Sequence, residues 1–150
     1  MVGKELIIAD MKVDDLPEAL AIETASFKTP WSEPLFYNEI FKTTAILRVA
    51  KINEHVVGYL CADVIIDEGH ILNLAVHQEY RGRGIASRMI KEMIDIMRDR
   101  SCGSIFLEVR ASNDVALKIY EKFGFGLLGT RKNYYVSPVE DAVVMALRLR

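Results

Sequence analysis

The sequence predicts an α/β (α+β) domain, a mixed central sheet of about seven strands with helices on both faces. Three observations carry this. Residues 45–51, 55–66 and 69–76 are rich in β-branched side chains and separated only by turn-sized gaps. Three hairpin-linked strands in succession exclude a doubly wound parallel sheet. Outside them, strand and helix patterns are mixed, and no repeat, low-complexity tract or Pro/Gly-rich linker interrupts the 150 residues. The chain therefore reads as one domain, residues 1–150.

Glu5 to Asp10 is the first expected strand. Asp14-Asp15-Leu16-Pro17 then opens a helix, with Asp as the cap candidate and Pro in the first turn. Leu16, Ala19, Leu20 and Ile22 form its buried side, up to about Phe27. Lys28-Thr29-Pro30-Trp31-Ser32 breaks it, and Ser32 with Leu35, Phe36, Ile40 and Phe41 marks a second helix. Asn53-Glu54 and Asp67-Glu68-Gly69 are the expected turns of the three-stranded stretch. In Gly84 to Arg100, Ile85, Met89, Ile90, Met93, Ile94 and Met97 recur at helical spacing, with Arg88, Lys91, Glu92, Asp95 and Arg98 opposite. Ser104 to Arg110 is a strand. Asn113 to Lys122 is a helix capped by Ser112 or Asn113 and stopped near Gly124. Phe125 to Val136 and Ala142 to Leu149 are the last two strands, joined around Ser137-Pro138.

Composition sets further bounds. Half of the chain is hydrophobic (51%) and 27% is charged, enough apolar material for a core and too much for disorder. With a net charge of −2 and no run of Lys or Arg, no direct nucleic-acid binding is expected. No apolar stretch reaches spanning length, so no membrane partner is expected. Met1-Val2-Gly3-Lys4-Glu5 shows no apolar leader with a cleavage site. Cys61 and Cys102 form no CxxC and read as reduced, buried thiols. A cytoplasmic location is the expectation. His55, His70 and His77 lack ligand spacing, and no metal is expected.

The most informative segment runs from Leu74 to Ser87, where a strand enters a Gly-rich turn and the turn enters an amphipathic helix. The first turn of a helix has unpaired N–H groups and the positive end of the macrodipole. Gly82 and Gly84 let the backbone approach an anion, Arg81 and Arg83 add charge, and Ser87 adds a hydroxyl. A dinucleotide motif would need Gly at position 87, which is Ser, and no Walker GK[S/T] occurs. Arg81-Gly82-Arg83-Gly84-Ile85-Ala86 resembles the R/Q-x-x-G-x-G/A pyrophosphate motif of GNAT acetyltransferases, and the element order is similar to that fold along essentially the whole chain. The resemblance implies acetyl-CoA as cosubstrate. Leu74, Ala75 and Val76 would pair with its pantetheine arm. Residues Gly82 to Ser87 would hold its pyrophosphate. A backbone N–H near Val76 would polarise the acetyl oxygen.

In Ile105 to Arg110 side chains alternate: Ile105, Leu107 and Val109 share one face, Phe106, Glu108 and Arg110 the other. A carboxylate amid apolar strand residues can be a raised-pKa base, or it can simply face solvent. Tyr120 lies on or beside the buried stripe of its helix with Phe123, as a core phenol or a proton donor. Asn113, as a candidate helix cap, needs no further function. Leu107-Glu108-Val109-Arg110-Ala111-Ser112-Asn113 and Ile119-Tyr120-Glu121-Lys122-Phe123-Gly124-Phe125 resemble the LEVRxSN and LYxxxGF signatures of Rim-type ribosomal-protein alanine acetyltransferases, with Ile119 in place of Leu. The chain is also similar to archaeal Ard-type N-terminal acetyltransferases. These resemblances imply Glu108 as general base, directly or through water, Tyr120 as general acid to the leaving thiolate, and Asn113 as a CoA contact. They imply an acceptor site walled by Phe27, Pro30, Trp31 and Ser32 and by Asn133, Tyr134 and Tyr135. The acceptor would be a protein or peptide amino terminus, a ribosomal protein among the candidates. Acetylation of a lysine, a polyamine or another small amine is the alternative chemistry. A CoA-binding regulatory domain is the non-enzymatic one, disfavoured by Glu108 and Tyr120.

Overall fold

The structure is a computed structural model and describes residues 5–150, so the opening residues 1–4, read above as lacking a leader, lie outside it. In chain order the described elements are β1 (Leu6–Asp10), α1 (Leu16–Ser26), α2 (Glu33–Ile40), β2 (Ala45–Ile52), β3 (His55–Ile65) and β4 (Glu68–Val76). After these come α3 (Ile85–Asp99), β5 (Ser104–Arg110), α4 (Asp114–Lys122), β6 (Gly126–Val136) and β7 (Val139–Arg148). The strands form one seven-stranded sheet in the order β1-β2-β3-β4-β5-β7-β6. The β4–β5 pair is parallel and its neighbours are antiparallel, because α3 carries the chain back between β4 and β5.

The sheet separates two apolar layers. On one face α3 buries Ile85, Met89, Ile90, Met93, Ile94 and Met97 against Leu60, Ile71, Ile105 and Leu107, with Tyr120 of α4 beside them. On the other, Leu16, Ala19 and Ile22 of α1 and Phe36 of α2 pack on Val49 and Tyr59. The expected helices on both faces are present. Among the described residues no helix is long and apolar enough to cross a membrane.

Local chemistry explains the element ends. Ser32 caps α2 by accepting from the Leu35 N–H (3.3 Å), and Asn113 caps α4 by accepting from the Ala116 N–H (3.1 Å). Asp15 does not cap α1 forwards; its carboxylate reaches back to the Lys12 N–H (2.8 Å) and across to Lys51 Nζ (2.7 Å). The β3–β4 turn is Ile66-Asp67, not Asp67 to Gly69, since pairing persists to Ile65↔Glu68 and Ile66 takes a left-handed φ of 59°. Strand β7 begins at Val139 rather than Ala142, because the pairs Tyr135↔Glu140 and Val136↔Val139 carry the ladder up to Ser137-Pro138.

One irregularity shapes the molecule. Against β3, Cys61 pairs Asn73 while Ala62 pairs Ile71, leaving Leu72 as an extra residue in β4. A bulge reverses the alternation of side chains along a strand. Ile71 therefore joins the α3 layer, while Ala75 joins the α1–α2 layer despite its equal parity. On the other side of β4, pairing with β5 stops at Ile71↔Leu107. Beyond that pair the two strands part, and the sheet opens into a V.

Helix α2 is pinned to the sheet by Lys42, whose Nζ lies 3.1 Å from Asp63 and 3.6 Å from Glu39. Asp63 is buried, and its Oδ1 has no partner. Burial alone would push its carboxyl up, but hydrogen bonds from Thr44 and Lys42 and the Lys42 charge hold it below the usual value. A carboxyl held down in this way stabilises the fold above its unfolded pKa, and the gain is lost as pH falls through the folded value. Lys42→Met is expected to cost about 1–2 kcal/mol near pH 7, because it leaves buried carboxylates unpaired. Chemical denaturation curves should show the gap to wild type closing as pH falls below the usual aspartate range.

Candidate active site

Two adjoining cavities, of about 520 and 570 Å³, occupy the V and the groove leading from it. They share Ser26, Phe27, Leu74, Asn113, Ala116 and Tyr120 as lining, so Tyr120 stands at their junction.

The larger cavity runs along Leu74, Ala75 and Val76 to Gly82, Gly84, Ile85, Ala86 and Ser87. Gly82 (φ 78°) and Gly84 (φ 80°) both take left-handed backbone, and a Cβ on either would point into open space. Gly84 ends the turn as the N-cap of α3 and supplies no side-chain bond, leaving the helix's first N–H groups free. An uncapped helix start over an open glycine cradle fits a pyrophosphate. The two arginines do not both point there. Arg81 donates from Nε to the Val76 carbonyl (3.0 Å) and from a terminal nitrogen to Ser26 Oγ (3.2 Å), tying the turn to β4 and to the end of α1. Arg83 lies over the Tyr80 ring at 5.0 Å and does not line the cavity.

The smaller cavity lies between the arms of the V. Glu108 is the first β5 residue past the last paired position, on the face opposite Leu107 and Val109, as alternation predicts. Its carboxylate meets His70 of β4, whose Nε2 lies 3.1 Å from Oε1 and 3.2 Å from Oε2. Facing a carboxylate, Nε2 is the ring nitrogen placed to donate. Glu108, 16% exposed, lines the cavity; His70, 39% exposed, lies outside its lining.

Tyr120 is buried, its ring edge-on to Phe125 at 5.4 Å. Burial pushes its phenol well above the usual value, so it stays protonated across the ordinary pH range. Asn113 lines both cavities while capping α4.

The outer wall joins two loops. Phe27 and Trp31 line the smaller cavity; Pro30 is exposed and does not line it, and Ser32 is spent on its cap. On the other side, β6 carries three residues (132–134) where β7 has only Asp141 between its pairs, and Asn133 takes φ 52°. This bulge turns Tyr135 into the cavity and Tyr134 outwards, 44% exposed under Arg131. Burial, followed by the neighbouring Tyr134, pushes the Tyr135 phenol up to about 12. Arg110 stacks over the Tyr135 ring at 4.3 Å, bonds the Pro138 carbonyl (3.0 Å) and pairs with Glu140 (3.2 Å). Thr29 Oγ1 reaches the Ser137 carbonyl (3.4 Å) from the α1–α2 loop, so the two walls touch.

Sequence reasoning passed over two residues of this site. His70 has no ligand spacing in the sequence, and its partner lies on a strand whose register no local pattern reveals. Glu23 was a legible anomaly, a carboxylate on the apolar stripe of α1, seven residues after Leu16 and four after Ala19. It is 1% exposed at the cavity floor, accepting bonds from Tyr59, Asn73 and Trp31.

Comparison with known proteins agrees with the geometry. Residues 16–125 match the profile described as the acetyltransferase (GNAT) family. The ribosomal protein bS18 alanine N-acetyltransferase of Salmonella typhimurium is 32% identical over 142 residues, 93% of this chain and 95% of that protein. The crystal structure of the ribosomal-protein-S18-alanine N-acetyltransferase from Escherichia coli superposes with a TM-score of 0.90 at 31% identity, covering 97% of this chain and 94% of that one. Ard1 from Thermoplasma volcanium shares the fold, with a TM-score of 0.89 at 24% identity over 97% and 98% of the two chains. With the V, the open glycine turn and these likenesses together, the chain belongs to the acetyltransferase (GNAT) family and is an N-acetyltransferase.

Proposed function

We propose that this enzyme acetylates the α-amine of a protein amino terminus, with acetyl-CoA as donor, Glu108 as base and Tyr120 as acid. The observation that carries the reading is the meeting of these two side chains in one cavity at the mouth of the V, one held by His70, the other buried and protonated. The Salmonella typhimurium and Escherichia coli relatives are alanine N-acetyltransferases of ribosomal protein bS18, and an acceptor of that kind is the one we assign. The slot between Phe27, Trp31 and Tyr135 opens into a cavity lined by polar as well as apolar side chains, which offers a short peptide end both an apolar rest and hydrogen-bond partners. Buried, unpaired Cys61 and Cys102 accord with a reducing, cytoplasmic setting.

Acetyl-CoA supplies the thioester, with its pyrophosphate on Gly82 to Ser87 and its arm along Leu74 to Val76. The residues of this chain manage the protons. A terminal amine has an ordinary pKa of about 7.7–8.0, so much of it arrives protonated at neutral pH. Glu108 takes its proton, directly or through a water held with His70, whose Nε2–H orients the carboxylate. The freed nitrogen bonds the acetyl carbon, sheds its surplus proton to solvent as it becomes an amide, and the carbon–sulfur bond breaks. The Val76 N–H stabilises the developing oxyanion, and Tyr120 gives its proton to the departing thiolate.

Glu108→Gln is expected to lower kcat by about 10²- to 10⁴-fold and leave acetyl-CoA affinity unchanged. Equal turnover in stopped-flow thiol release would remove Glu108 from the role.

The raised phenol of Tyr120 gives a second expectation. In the wild type kcat/KM should climb through about pH 8 as the amine loses its proton, then hold level to about pH 10 because the acid is still charged with its proton. Tyr120→Phe should lower that plateau by roughly tenfold or more without moving the rise.

Peptides beginning Ala, Ser, Met-Leu and Met-Glu, with one whose sole amine is lysine, test the acceptor. The Ala peptide should be the best substrate by mass spectrometry, and the lysine peptide should stay unmodified. Preferential labelling of lysine would overturn the amino-terminal assignment.

A further inference from the structure

Glu23 has no place in the proton chemistry above, yet it is the most completely bonded carboxylate at the site. Its Oε1 accepts from the Tyr59 hydroxyl and from Asn73 Nδ2 (2.6 Å), and its Oε2 accepts from the Trp31 backbone N–H (2.8 Å). Asn73 continues the chain, its Oδ1 accepting from the Leu74 N–H (3.1 Å). Two backbone amides are thus joined through two side chains. Trp31 belongs to the loop that walls the acceptor slot, and Leu74 to the strand along which the acyl donor lies.

Burying a carboxylate without a cation is costly, and an apolar side chain would fill the space with less penalty. What an apolar residue could not do is fix the distance between these amides. We propose that Glu23 and Asn73 form a positioning relay, setting the acceptor wall against the donor strand so that the incoming amine reaches the thioester. This rests on the acetyl-transfer reading above. Glu23 touches neither substrate; it acts through Trp31 and Asn73. The Trp31 ring is held by the same unit, packing on Phe36 at 5.1 Å, which packs on Tyr59 at 5.5 Å.

The donor pattern shows why a carboxylate is needed. With Gln at position 23, an amide oxygen left facing Tyr59 and Asn73 would turn its NH₂ towards the Trp31 N–H, donor against donor. The flipped amide would satisfy Trp31 and face the Asn73 NH₂ instead. Asn73 cannot flip in turn without losing the Leu74 N–H. Glu23→Gln preserves volume and breaks the relay in either orientation.

Trp31 is the only tryptophan, so its emission reports directly on the wall. Glu23→Gln, Asn73→Ala and the double variant are compared with wild type using an Ala-initial peptide and acetyl-CoA. Each single change is expected to red-shift Trp31 emission and raise the peptide KM roughly tenfold, with kcat and the acetyl-CoA dissociation constant within about threefold. The double variant should be no worse than about twofold beyond either single, because both changes break one unit. Unshifted emission, a peptide KM like wild type, equal rises in both substrates' constants, or additive losses would each overturn the relay. If Glu23→Gln does not fold, Asn73→Ala at its half-buried position carries both readouts. A wild-type protein that acetylates no peptide sinks the acetyl-transfer reading instead, and Trp31 emission still decides whether the relay exists.

Discussion

The parting of β4 from β5 after Ile71↔Leu107 is the constraint on which the rest depends. A parallel pair that ran its full length would bury the backbone edges of Leu74 to Val76 and close the space between Glu108 and Tyr120. The extra residue Leu72 lies beside the parting and bends β4 away from its neighbour. Tight packing of α3 on one face and α1 on the other keeps both arms of the V fixed although they no longer bond each other. An opening in a sheet normally exposes unpaired N–H and C=O groups. Here two of them are met from within the chain, the Leu74 N–H by Asn73 Oδ1 and the Val76 carbonyl by Arg81 Nε.

Around that opening, charged groups sort by task. Glu108 is partly open and held by one histidine, so its carboxylate can be reached from the cavity. Glu23 is sealed and bonded three times, so it holds neighbouring groups in place. Glu140 is tied to Ser112 and Arg110, which hold its carboxyl below the usual value, and it braces the hairpin tip. Three carboxylates near one cavity thus differ in environment more than in chemistry, and environment decides which of them can act as a base.

How much of this was legible follows from the range of the forces involved. Turn chemistry and periodicity are local, so the seven strands, the four helices and the caps at Ser32 and Asn113 could be read from neighbours in sequence. The glycine turn was legible for the same reason, from its strand–turn–helix pattern; alternation gave only the face of Glu108, and its candidate role came from the resemblance carried by Leu107 to Asn113. His70 was not, because its partner is set by the register between two strands separated by α3. The bulge at Leu72 adds a second obstacle, since simple alternation through Ile71, Asn73 and Ala75 would place all three on one face. The direction of Arg81 was also out of reach. Its charge pointed to an anion, but a carbonyl and a hydroxyl stand closer in the folded chain.

The bulge in β6 has a consequence for the outside of the molecule. Strand β6 closes one side of the sheet, and its outer row of backbone groups invites a strand from another chain, the more so because Leu127 and Leu128 lie exposed along it. Residues 132–134, which swing Tyr135 inwards, also break that row partway along and set Arg131 and Lys132 beside the break. A stray strand would find no continuous template and would meet positive charge where the template fails. The kink that shapes a binding slot on the inner side is, on the outer side, a guard against fibril-like stacking.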